Sequence, residues 1–119
     1  LDAICGADMA LSINIYNDSR FYHSDRLTHY VGCGTLSLVK QVPDSHLLFE
    51  DGRHVCYFET QQECLELVDR YRVDVRQREE IADAGRRHTH ERFHCRKLAG
   101  YVVDLVERGE YNETWCEII

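Results

Sequence analysis

The residues with the right types and spacing for chemistry are Ser24 and Arg26, with His29 one turn further on and Lys40 downstream. Serine is a favoured N-cap, so a helix starting at Ser24 presents free N–H groups and about half a positive charge to whatever precedes it. An anion held there meets backbone donors and the Arg26 guanidinium together, which is a phosphate-binding geometry. The His29 imidazole can donate or accept a hydrogen bond, and the Lys40 ammonium can reach a phosphate or a hydroxyl. Each residue also has an ordinary role: Ser24 caps its own helix, Arg26 pairs with a surface carboxylate, Lys40 is solvated.

Other chemistries find less support. Seven histidines invite a metal reading, above all at His88, His90 and His94. On a helix His90 and His94 lie one turn apart, but His88 and His90 point to nearly opposite sides and Cys95 faces away from His94. The expectation is a polar helix surface and no metal. Neither a Gly-x-Ser-x-Gly elbow nor a phosphate loop with its lysine occurs, so nucleophilic catalysis is not expected.

The elements that must position these groups alternate in type. Residues 9–15 read as a buried strand with apolar residues mostly at alternate positions. A polar loop, 16–23, leads to the Ser24 helix, and its Asn17, Arg20, Tyr22 and His23 are either ligand contacts or a solvated turn. Leu27, Tyr30 and Val31 give that helix its apolar side, and Gly34 stands where a left-handed stop is expected. Residues 35–39 are nearly all apolar, as in a central parallel strand. A loop with the only proline follows, then a short helix over 45–49 ended by Asp51-Gly52, and a third strand over 55–58.

Thr60 and Glu63 fit a capping box, and Cys64, Leu65, Leu67, Val68 and Tyr71 trace one apolar face behind it. Asp74 caps the next helix, in which Gly85 is expected to permit close packing. A last helix over 96–108 packs Leu98, Tyr101, Val102, Leu105 and Val106 and stops at Gly109. The tail, 110–119, is expected to pack back on the domain or on an absent half. The predicted fold class is α/β: a partial Rossmann-like three-layer domain with a short parallel sheet of about three strands, flanked by helices and followed by a helical C-terminal region. Three strands leave an edge and an apolar flank uncovered, so a partner is expected: the absent strands, a second copy of the chain, or both.

With 119 residues and 44% hydrophobic content, residues 1–119 form a single domain. A net charge of −7 argues against nucleic acid or an anionic membrane as partner. No apolar run reaches transmembrane length. Six cysteines without a Cys-x-x-Cys pair point to a reducing, cytoplasmic setting rather than a disulfide framework.

Three blocks add a resemblance. They are Ser-Asp-Arg-Leu-Thr-His-Tyr-Val-Gly-Cys-Gly-Thr from residue 24, Leu-Leu-Phe-Glu-Asp-Gly-Arg-His-Val-Cys-Tyr-Phe from residue 47, and Arg-Gln-Arg-Glu-Glu-Ile-Ala-Asp-Ala-Gly-Arg-Arg from residue 76. In this order the chain resembles the C-terminal, nucleotide-sugar-binding part of GT-B glycosyltransferases, nearest the spore-maturation-protein-like branch. The resemblance runs from about residue 7 to 107 and implies a fragment of a larger chain, as does the start at Leu1 without Met. It implies a nucleotide-diphosphate sugar as substrate, with no separate cofactor. Ser24 and Arg26 would face the diphosphate and His29 the ribose, with Lys40 nearby. His29 stands where the family carries a glutamate, which supports an alternative: a non-catalytic nucleotide-binding or scaffolding module that kept the fold and lost activity.

Overall fold

Parallel pairing of three apolar stretches organises the chain, whose residues 2–109 the computed structural model describes. They are β1 (Met9–Ser12), β2 (Leu36–Lys40) and β3 (Cys56–Phe58), in the order β1-β2-β3. Met9 lies opposite Leu36 and Leu38 opposite Cys56. The helices are α1 (Asp2–Cys5), α2 (Asp25–Gly32), α3 (Gln61–Val73), α4 (Val75–Arg92) and α5 (Cys95–Arg108), with a 3-10 turn at Ser45–Leu47. The α/β expectation holds, and β2 is the central strand, buried from Leu36 to Val39. No helix among the described residues is long and apolar enough to cross a membrane.

The pleat of β2 sends alternate residues into two cores. Leu36 and Leu38 join Cys56, Phe58, Tyr71, Ile81 and Ala82 on the side that α3 and α4 cover. On the other side Val39 packs with Leu27 and Val31 of α2 and with Phe49 and Val55. The helix boundaries follow local chemistry. Thr60 Oγ1 accepts from the Glu63 N–H at 3.2 Å, as a capping box requires, and a Glu63 carboxylate oxygen reaches back to accept from the Glu59 N–H at 2.7 Å, one residue before the cap. Asp74 caps α4 by accepting from Gln77 N–H at 3.0 Å. Gly34 takes φ +78° just past α2, while Thr35 N–H donates back to the Tyr30 carbonyl at 3.1 Å.

Three expectations are corrected. Strand β1 ends at Ser12 rather than residue 15, because its pairing with β2 stops at Val39. Leu65 is 52% exposed although Cys64, Leu67, Val68 and Tyr71 pack inward, since it borders the groove beside β1, which no described residue covers. Helix α5 has no buried residue, and Leu98, Val102, Leu105 and Val106 face outward. Its apolar periodicity shows that one side favours burial and does not say against what. The expected packing of 110–119 lies outside the described residues. Leu11 and Ile13, at 47% and 49% exposure, make the uncovered flank of the sheet, with β1 as an edge strand.

Candidate functional site

Parallel strands point their carboxyl ends the same way, and in open α/β sheets that end is where ligands bind. Here it gathers the ends of β1, β2 and β3 with the starts of α2 and α3. The two helix starts differ. That of α3 is satisfied by Thr60 and by Glu63, whose carboxyl is held below its usual range chiefly by the Glu59 N–H. That of α2 is open. Ser24 sits in the N-cap position with φ −86° and ψ 155°, yet its hydroxyl makes no capping bond. Its Oγ is buried and has no partner among the described residues.

Arg26 braces this open start. Its Nη2 donates to the Ile13 carbonyl at 3.1 Å, just past β1, and the side chain joins no ion pair among the described residues. The surface carboxylate of the ordinary role is therefore not its partner. His29, three residues on, is exposed and lies about 60° around the helix from Arg26. Lys40 closes β2, and its Nζ donates to the Glu59 carbonyl at 2.6 Å, tying the ends of β2 and β3 together. It lines a hollow of ≈ 450 Å³ with Gln41, Val42, Pro43, Glu59 and Thr60. It also borders an apolar groove of ≈ 490 Å³ along Leu11, Ile13, Phe58 and Leu65. The structure thus brings Ser24 and Arg26 together at one helix start, sets Lys40 at the neighbouring strand end, and leaves His29 further along α2.

The polar loop before α2 is ordered by named contacts. Arg20 forms an ion pair with Asp44, and its guanidinium stands 5.1 Å from the Phe21 ring centre. Phe21 N–H donates to the Pro43 carbonyl at 3.0 Å, and Tyr22 meets Tyr16 edge to face at 5.9 Å. His23 Nδ1 lies 3.2 Å from the Phe21 carbonyl oxygen, and Asn17 lines the apolar groove. Phe21 and Asp44 both adopt left-handed backbone, φ 58° and 62°, which side-chain-bearing residues avoid unless their surroundings hold them there. The sequence reading missed this pairing of the β1 and β2 loops, because strand-end loops carry no periodicity. It also passed over Asn14, whose signal was a polar residue inside an apolar stretch.

With this geometry in place, comparison with known families is informative. The family model described as glycosyl transferase-like matches residues 1–104. The chain belongs to the glycosyl transferase-like family. No curated protein and no solved structure matches it. The match spans all three strands and α2 to α4, so this glycosyl transferase-like domain includes the whole carboxyl-end site described above.

His54, His88 and His90 serve packing. His88 Nε2 lies 2.8 Å from the Leu48 carbonyl oxygen and His90 Nε2 lies 3.0 Å from that of Gly32, so both anchor α4 to the segments beneath it. His54 stacks on His88 with ring centres 4.0 Å apart, and its Nδ1 accepts from Glu50 N–H at 3.1 Å. Among the described residues no three His, Cys, Asp or Glu side chains gather as a metal site. Burial, followed by the neighbouring His88 and Arg53, pushes the His54 pKa down from 6.5 to about 4. The unfolded chain therefore takes up this proton before the folded one does, and stability contributed by neutral His54 is lost as pH falls from 6.5 toward 4. Thermal melting should show a fall in midpoint over that window. In His54→Asn, whose amide oxygen can still accept from Glu50 N–H, the fall should be shallower; an identical profile would remove His54 as its source.

Proposed function

We propose that this domain binds the donor of a glycosyltransferase, a nucleotide-diphosphate sugar, at the carboxyl ends of β1 to β3. The observation that carries the reading is the open start of α2, where an uncapped helix terminus and Arg26, which has no carboxylate partner among the described residues, stand at the loop end of a parallel sheet. The diphosphate takes the α2 N–H groups and Arg26, His29 offers a hydrogen bond to the ribose, and Lys40 lies within reach of a phosphate or sugar hydroxyl. In sugar transfer the bond to the diphosphate breaks and negative charge collects on the leaving group. Fixed donors at a helix start stabilise that charge without having to reorganise. The net charge of −7 does not oppose this, since the helix terminus and guanidinium act locally. The acceptor side belongs to a further half or a second copy of the chain, seated over the groove at Leu11, Ile13 and Leu65.

His29 favours a second reading, a nucleotide-binding or scaffolding module without transfer activity, because an imidazole stands there in place of the carboxylate that the resemblance implies. Titration of UDP, GDP and their sugars into the protein, followed by calorimetry, tests the first reading. Saturable binding is expected, with a stronger response to the donor sugar's own nucleotide. Absence of binding by the full-length protein overturns it. Binding without any transfer, together with transfer gained in His29→Glu, selects the second reading.

A further inference from the structure

Asn14 and Ser24 are the two feet of the loop that joins β1 to α2, and both bury polar atoms that nothing among the described residues satisfies. Asn14 is 5% exposed, and neither its Oδ1 nor its Nδ2 has a partner; the same holds for Ser24 Oγ. Buried amides and hydroxyls nearly always find partners, so two orphans on one loop call for an explanation.

Burial alternates along this segment. Leu11 and Ile13 line the exposed groove beside α3, whereas Ser12, on the opposite face of β1, is buried on the side that α2 covers, and Asn14, two residues further and past the strand's end, is buried again. The register agrees: Ser12 aligns with Val39, which packs against Leu27 and Val31 of α2. Arg26, in the first turn of α2, reaches the Ile13 carbonyl at 3.1 Å, so the end of its side chain meets the backbone one residue before Asn14. An unpartnered amide, an unpartnered hydroxyl and an uncapped helix N-terminus therefore lie at the same end of the sheet, where β1 gives way to α2.

We infer that Asn14 is a ligand-contacting residue of this site: its amide N–H and the Ser24 hydroxyl donate to phosphate oxygens at the start of α2, while its Oδ1 accepts from a hydroxyl of the same ligand. The inference rests on the donor-site reading and extends it from charge recognition to hydrogen-bond recognition. An amide that offers both donors and an acceptor suits a ligand with a phosphate beside a hydroxyl, as in a sugar nucleotide, better than a bare anion. The atoms are closed off in the present conformation, so the ligand reaches them as the loop between the two feet lifts. That loop is tied to the loop after β2 by the Arg20–Asp44 pair and by Phe21 N–H on the Pro43 carbonyl at 3.0 Å.

The test compares full-length wild type, Asn14→Leu and Ser24→Ala by calorimetric titration of UDP and GDP, with thermal melting alongside. Leucine keeps the side-chain size and removes the orphan amide. The melting temperature should hold or rise while affinity for the nucleotide that wild type binds falls at least about tenfold. Ser24→Ala should weaken the same nucleotide about threefold or more. Unchanged affinity in a folded Asn14→Leu protein overturns the inference and leaves a trapped water as the partner of the amide. Should Asn14→Leu fail to fold, Ser24→Ala decides, and unchanged affinity there overturns it. Wild type that binds neither nucleotide overturns the donor-site reading itself, whereas binding that both variants retain overturns only this assignment.

Discussion

Arg26→Ala in the full-length protein is expected to lower sugar transfer by at least about tenfold, the loss that follows when one fixed donor to a developing anion is removed. The guanidinium does two things here. It steadies the junction of β1 and α2 through the Ile13 carbonyl at 3.1 Å, and its exposed remainder is free of carboxylate partners among the described residues. The two roles separate in Arg26→Lys. An ammonium keeps the charge and loses the planar fork that can hold a carbonyl and a phosphate together. Turnover intermediate between wild type and alanine is expected for lysine, with the melting temperature of Arg26→Ala changed little because the side chain lies at the surface. Turnover equal to wild type in Arg26→Ala removes the catalytic role, and a collapse in melting temperature with it moves Arg26 to a purely structural one.

Gly85→Ala is expected to damage the fold more than any surface change. A Cβ built on Gly85 would stand 2.3 Å from the His54 carbonyl oxygen and 3.0 Å from Val31 Cγ1. The first neighbour is backbone and the second belongs to the buried face of α2, so neither gives way easily. Overpacking of this kind costs about 1–3 kcal/mol and sometimes more, while the better helix propensity of alanine returns only about 1 kcal/mol. Moving α4 away also strains the stack of His88 on His54 and the contact of His90 with the Gly32 carbonyl. A fall of about 5 °C or more in melting temperature is expected, since a net loss of about 1–2 kcal/mol shifts a domain of this size by several degrees per kcal/mol. A melting temperature within about 2 °C of wild type would show that the helix slides to make room at little cost. Because α2 carries Ser24 and Arg26 on the other side of the same contact, nucleotide binding should fall together with stability.

Much of the fold was legible because it rests on local chemistry. The capping box at Thr60 and Glu63, the Asp74 cap, the left-handed stop at Gly34 and the apolar run of β2 each depend on residues a few positions apart. Gly85 was readable as a point of close approach, because a glycine inside a helix that does not end there loses propensity without another reason. What α5 packs against was not readable, since amphipathic spacing carries no address. Nor was the fate of the histidines: their spacing along α4 shows which share a side, and only the packing of α4 over Leu48, His54 and Gly32 shows what they touch.

The candidate site divides in the same way. By itself the sequence determined that a helix begins at Ser24 with Arg26 in its first turn, that an apolar strand precedes it and another follows, and that the three blocks resemble a sugar-transfer domain. These depend on short-range spacing, on which capping and periodicity act. Tertiary structure alone decided that the helix start is open rather than self-capped, that Arg26 holds a backbone carbonyl instead of a carboxylate, and that Lys40 ties two strand ends together. It alone decided that Asn14 is buried without a partner among the described residues. Those facts depend on which groups from distant segments meet after folding, and hydrogen-bond satisfaction is a property of that meeting rather than of any one stretch of chain.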